Sequence, residues 1–228
     1  MSGKGMRRAS LYSSLNSKYM MGQENDVWIL IDNGNGVETP GKRSPDGKFR
    51  EYAYARKVAA ELVARLNARG VKAVRLVPEE EDIPLAERVR RANAYCKRYG
   101  KDKVALVSVH CDASGNGAWM QARGWSAWTS RGTTRADGLA DCLYAAAEWY
   151  FKGMKIRKDM SDGDPDFEAG FYLLRHTSCP AVLTENFFQD NRDDVAYLQS
   201  GDGFEAVVCV HVQGILTWLA SNCPVHAG

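Results

Sequence analysis

Four groups of residues in this 228-residue chain could do chemistry, and three of them close short apolar runs. Val27–Ile31 drops into Asp32, Asn33, Gly34, Asn35 and Gly36. "VALVSVH" (104–110) ends on His110, followed by Cys111 and Asp112. "PAVLTENFF" carries Thr184, Glu185 and Asn186 directly after an apolar stretch. Glu51 is the fourth group, opening a helical pattern soon after the glycine turn. His110 and Glu51 are residue types that ligate zinc, and Glu185 has the chemistry of a carboxylate base. A zinc hydrolase needs three protein ligands, an open position for water, and a group to take the water's proton. No compact motif such as HExxH occurs, so only the fold could assemble such a set. Asn35 is the odd member. Its amide has no proton to trade near neutral pH and is a weaker metal ligand than imidazole or carboxylate.

The elements that would position these residues alternate. Val27–Ile31 has strand length, and the loop after it is punctuated by Pro-Gly and Asp-Gly. "EYAYARKVAAELVARLNARG" predicts a helix, with Tyr54, Val58, Leu62 and Leu66 recurring every four residues and Gly70 as its stop. "VKAVRLV" (71–77) is the next strand, and "PLAERVRRANAYCKRYG" a second helix between Pro84 and Gly100. Strands are expected at 104–110 and 124–130, a helix in "TRADGLADCLYAAAEWYF", and a long loop over 153–170. "FYLLRHTSCPAVLTENFF" reads as two short apolar runs around a turn, and "FEAVVCVHVQGILTWL" as a closing helix. This order predicts one α/β domain, with a mainly parallel central sheet and helices on both faces. Ligands of such sheets bind outside the carboxyl ends of the strands. A parallel sheet would therefore put all four groups on one rim.

Composition excludes several classes. A hydrophobic content of 45% and a charged content of 25% are ordinary for a globular chain that buries its own core. A net charge of +2 gives no electrostatic case for nucleic acid as the partner. The six cysteines form no close pair, which predicts reduced core residues rather than a disulfide framework. No apolar stretch of bilayer-spanning length is expected. Residues 1–25 are basic and serine-rich without a continuous apolar core, so they read as a flexible arm and not as a secretory signal. The domain is expected over 26–222, with a short tail over 223–228.

Over about residues 27–220 the chain resembles the zinc-dependent N-acetylmuramoyl-L-alanine amidases of the Amidase_3 type, peptidoglycan hydrolases with a phosphorylase/hydrolase-like α/β fold. "ILIDNGNG" resembles the family's opening "DxGHG" turn, and "REYAYARKVAAELVARLNARGVKAVRL" its glutamate-bearing helix and following strand. "LVSVHCDAS" is similar to the "SxHxNA" strand end, and "PAVLTENFFQDN" to the late "xxExgFxsN" block. The resemblance implies Glu51 and His110 as zinc ligands and Glu185 as the catalytic glutamate. It also places Asn35 where the family has its first zinc-binding histidine. Cys111 and Asp112 stand where members often have Ala and Asn. The implied reaction is hydrolysis of the amide between N-acetylmuramic acid and L-alanine, with Zn2+ as cofactor. Peptidoglycan, glycan plus stem peptide, would be the partner of a monomer. Arg131, Arg135 and Arg175 are candidates to meet peptide carboxylates. With Asn35 in place, zinc binding is expected to be weak or lost and amidase activity weak or absent. Two readings compete: a ligand exchange in an otherwise intact enzyme, or a natural protein that binds peptidoglycan without cutting it or cuts it with another metal. The implied setting is an endolysin held in the cytoplasm until lysis, or an autolysin of the cell envelope whose leader is missing.

Overall fold

The computed structural model describes residues 26–115 and 117–222, so the expected arm (1–25) and tail (223–228) lie outside the described residues. Six strands form one sheet: β1 (Trp28–Asn33), β2 (Lys72–Arg75), β3 (Val104–Asp112), β4 (Ser126–Thr129), β5 (Phe167–Glu168) and β6 (Ala181–Phe188). Their spatial order is β2-β1-β3-β6-β4-β5. Pairings β1–β2, β1–β3 and β3–β6 are parallel, β4 runs antiparallel to β6, and β5 runs parallel to β4. The mainly parallel α/β sheet is as the alternation of elements predicts.

Six helices cover it: α1 (Glu51–Asn67), α2 (Leu85–Tyr99), α3 (Asp137–Tyr150), α4 (Tyr172–His176), α5 (Arg192–Gln199) and α6 (Gly201–Asn222). Side chains alternate across a strand, and the two resulting cores are distinct. Ile29, Ile31, Val107 and Val109 pack with α1, α3 and α6, whereas Leu30, Leu106 and Leu183 pack with α2 and α4. The five described cysteines are free, and Cys96, Cys111 and Cys179 are buried, as core residues.

Two elements are left unassigned by the sequence pattern, and one expectation needs correction. The first apolar run of "FYLLRHTSCPAVLTENFF" is the short helix α4. Its buried pair, Leu173 and Leu174, are consecutive residues that both join the α2-side core, which strand alternation would forbid. Helix α5 lies where the sequence pattern predicts no element. Asn191 caps it, its side chain accepting from the amides of Asp193 and Asp194. Finally, Gly201–Ser221 is long and apolar enough to cross a membrane by length and composition, with a mean hydropathy of 1.4. That stretch is 72% buried inside the fold, packed against α1 and α3, so its apolar character is that of a core helix.

Candidate active site

The parallel register brings the four groups to one rim. Asn33 pairs with Val109, and His110 stands opposite Glu185 on the neighbouring strand. Beyond that pair the register shifts, so that Asp112 meets Phe188. The extra residue on β6 is accommodated by Phe187 at φ 63°, buried against Phe151 and Tyr197. Such bulges re-aim side chains at strand ends.

The turn after β1 is held from behind. Arg88 of α2 is buried and pairs with the buried Asp32 at 2.9 Å, while its Nη1 also donates to the Asn33 carbonyl at 2.7 Å. The Ser108 hydroxyl donates to the other oxygen of Asp32 at 2.5 Å. Arg56 donates to the Asn35 carbonyl at 3.0 Å, and Asn35 adopts φ 63°. This left-handed conformation is one that Asn and His tolerate better than most residues. At Gly34 a Cβ would lie 2.2 Å from the His110 ring, so only glycine lets the imidazole sit against the turn.

Glu51 is fully buried at the first position of α1. Its Oε1 accepts the Cys111 amide at 3.1 Å and lies 3.1 Å from His110 Nδ1. Its Oε2 has no hydrogen-bond partner, and Lys42 Nζ is 3.7 Å away. Burial raises the Glu51 pKa, but His110, Lys42 and the Cys111 amide more than offset it and hold the carboxyl below its ordinary value. A buried carboxylate at this depth exceeds what a helix dipole alone would call for.

Glu185 behaves oppositely. Burial, then the negative charges of Glu51 and Asp112, push its pKa well above the ordinary carboxylate range, against Lys42 and Arg157. Its Oε2 is buried without a partner. Two carboxylates whose environments drive their pKa values apart are the usual arrangement for distinct acid–base roles.

Behind the rim runs a network that sequence reasoning missed. Asn186 Nδ2 donates to the His110 carbonyl at 2.9 Å, and its Oδ1 accepts Trp125 Nε1 at 3.1 Å. Asn186 also donates to the Thr184 hydroxyl, which is 2.9 Å from Nε2 of the buried His211. His211 Nδ1 is 2.7 Å from the Val207 carbonyl, which can only accept. The ring therefore carries its proton on Nδ1 and accepts from Thr184 at Nε2.

The proposed arginines are elsewhere. Arg131 and Arg175 line one cleft together with Ser130 and Gly170. Trp128 pairs with Leu183, so continuing the antiparallel register puts Ser130 opposite Ala181, four residues from Glu185, or about 13 Å along the strand. Arg135 pairs with Asp102, just ahead of β3. The structure does not bring these three to Glu185. Basic residues beside the rim come instead from the 153–170 loop and the approach to β4. Arg157 pairs with Asp112 at 2.6 Å, and Arg123 and Lys155 line the same cleft.

The donor chemistry fits a divalent cation. His110 Nδ1 lies 3.1 Å from Glu51 Oε1, the other Glu51 oxygen has no hydrogen-bond partner, and Asn35 follows the glycine against which the imidazole rests. Among the described residues no third His, Cys, Asp or Glu completes a metal-ligating group with them.

Comparison with known proteins gives the family and the fold. The profile of the N-acetylmuramoyl-L-alanine amidase family (Amidase_3) matches residues 29–217. An endolysin of Bacillus phage SPP1 is 29% identical over 192 residues, covering 83% of this chain and 64% of that protein. The N-acetylmuramoyl-L-alanine amidase CwlM of Bacillus licheniformis is 23% identical over 189 residues, covering 83% of this chain and 67% of its own length. The chain thus spans about two thirds of these relatives. Among solved structures, an N-acetylmuramoyl-L-alanine amidase from Clostridium difficile 630 superposes with a TM-score of 0.74 at 24% identity, covering 87% of this chain and 100% of that one. The catalytic domain of CwlV from Bacillus (Paenibacillus) polymyxa gives 0.70 at 21%, covering 85% and 98%.

Proposed function

From membership of the Amidase_3 family of N-acetylmuramoyl-L-alanine amidases, to which this chain belongs, we propose that it is a peptidoglycan hydrolase built to cleave the amide between N-acetylmuramic acid and L-alanine, with a weakened metal site. The observation that carries the reading is the convergence of Glu51, His110 and Glu185 on one rim, with two buried carboxylate oxygens left unpartnered. Glu51, His110 and, more weakly, Asn35 would hold Zn2+. When bound, zinc polarises the scissile carbonyl and makes water a nucleophile near neutral pH. Glu185 takes the proton of the attacking water, which its raised pKa suits it to hold, and passes it to the leaving alanine amine. Glu51 stays ionised beside His110 and fixes its ring against Gly34. Residues 26–222 are the catalytic unit, acting on the cell wall as a monomer in the manner of an endolysin or autolysin.

A second reading rests on Asn35: a domain of this fold that binds peptidoglycan without cutting it. Release of new amino termini from purified peptidoglycan, with and without added zinc, separates the two. Turnover that depends on zinc and is lost in Glu185→Gln supports the amidase. Unchanged wall binding with no turnover at any zinc concentration leaves the binding domain.

A further inference from the structure

A cleft of about 340 Å3 opens beside Glu185, lined by Asp112, Arg123, Lys155, Arg157, Trp128 and Phe188. It lies on Glu185's own face of the sheet. Trp128 pairs with Leu183, and Leu183 and Glu185 are two residues apart on β6. Asp112 and Arg157 are near enough to act electrostatically on Glu185. The cleft holds three cations against one lining carboxylate. Arg157 is fixed by Asp112 and by the rings of Phe167 and Phe188, 5.2 and 5.0 Å from its guanidinium. Arg123 leans on Asp193 at 3.2 Å and Asp194 at 3.6 Å. Lys155 is exposed and has no ion pair among the described residues. Lys155 is thus a cation free to take an incoming anion, above an apolar floor of Trp128 and Phe188.

We propose that this cleft binds a free carboxylate of the stem peptide, with Lys155 and Arg157 as its cations. The proposal rests on the reading of Glu185 as the base of a peptidoglycan amidase. Trp128 is one strand across and two residues along from Glu185, roughly 5 Å by 7 Å. An extended peptide advances about 3.3–3.6 Å per residue. With the first residue's amide at Glu185, the second and third residues pass over the cleft. A carboxylate there gains charge-assisted hydrogen bonds that a carboxamide cannot match. The cleft therefore selects acidic over amidated stem peptides.

The test uses the full chain carrying Glu185→Gln, so that probes stay intact, and two probes: N-acetylmuramoyl-L-alanyl-D-glutamate and its bis-amide. Binding is followed by calorimetry and by tryptophan fluorescence at low salt. The diacid is expected to bind about tenfold tighter than the diamide, in line with a charge-assisted contact. Lys155→Glu should bring the two to near parity, and Arg131→Glu in the distant cleft should leave the preference intact. Equal affinity for the two probes, or a preference that survives Lys155→Glu, overturns the proposal. Zinc-supported turnover of peptidoglycan by the unsubstituted chain, without discrimination between the probes, removes the subsite alone. Discrimination without turnover removes the amidase reading and leaves the subsite standing.

Discussion

Replacing Asn35 by histidine is the most informative single change. At φ 63° the backbone already has a conformation that histidine tolerates, and its carbonyl is held by Arg56, so the turn need not move. The new imidazole would supply the third strong donor beside His110 and Glu51. Loss of a group that merely orients a metal ligand already costs about 10–100-fold in affinity. Restoring a ligand should return at least that much, about 1.4–2.8 kcal/mol. Metal that binds only the folded chain transfers this energy to stability. For a domain of this size each kcal/mol moves Tm by about 2–4 °C, so the variant should melt roughly 3–11 °C above the unsubstituted chain at the same saturating zinc. In chelator the two should melt together. Competition with a chromophoric chelator gives the affinities directly, and peptidoglycan turnover should rise in parallel. If Asn35→His binds zinc no more tightly, the assignment of Asn35 to the metal position is wrong. An unsubstituted chain that already holds one zinc against a strong chelator overturns the weakened-site reading.

Three further outcomes concern the surroundings of the site. Arg88→Met leaves Asp32 buried without its counter-ion and should cost about 3–5 kcal/mol in denaturant unfolding, whereas a loss under about 1 kcal/mol would mean that Ser108 alone satisfies the carboxylate. Glu185 binds its proton more tightly folded than unfolded, so its contribution to stability falls as pH rises above the ordinary glutamate value of about 4.3. In chelator, Glu185→Gln should therefore raise Tm at pH 7 and lose that advantage below pH 4, while abolishing turnover. An unchanged Tm at pH 7 contradicts the burial argument. His211 has the reverse sign. Its pKa is lowered from 6.5 to about 4 by burial, so the unfolded chain takes up a proton first and stability falls as pH drops from about 6.5 to 4. That span is worth roughly 3 kcal/mol, and His211→Gln should flatten the corresponding part of a stability–pH profile.

Much of the frame was legible because each strand that carries a site residue announces itself locally. β1, β3 and β6 are continuous apolar runs of strand length, and each stops at polar residues. Their common rim is a consequence of the parallel alternation alone. Arg88 also left a signal: with Ala92 and Cys96 it sits on the buried stripe of α2, and an arginine on such a stripe demands an anion. Asp32 is that anion. The arginines at 131, 135 and 175 stand away from Glu185 for a topological reason. β4 runs antiparallel to its neighbour, so the chain leaving its last residue emerges at the opposite end of the sheet. Nothing local in "GWSAWTS" states that direction. Arg157 and Lys155 were hidden in a loop whose path depends on backbone pairing with Trp125, a contact 30 or more residues away in sequence.

The turn at Asn35 is held by hydrogen bonds from the protein's own side chains. Arg88 and Arg56 bind its carbonyls, Ser108 and Asp32 anchor the strand end, and Gly34 admits the His110 ring. A site whose backbone is fixed by buried arginines can lose a ligand without losing its shape, because the ligand's side chain is not what folds the loop. On the proposed zinc reading, the cost of Asn35 would fall on metal affinity and leave the rim assembled. That separation predicts an ordered rim, in which Glu51 acts electrostatically on Glu185 and Lys42 stands 3.7 Å from the Glu51 carboxylate. On that same reading, Asn35→His should suffice to raise turnover, which release of new amino termini from peptidoglycan checks.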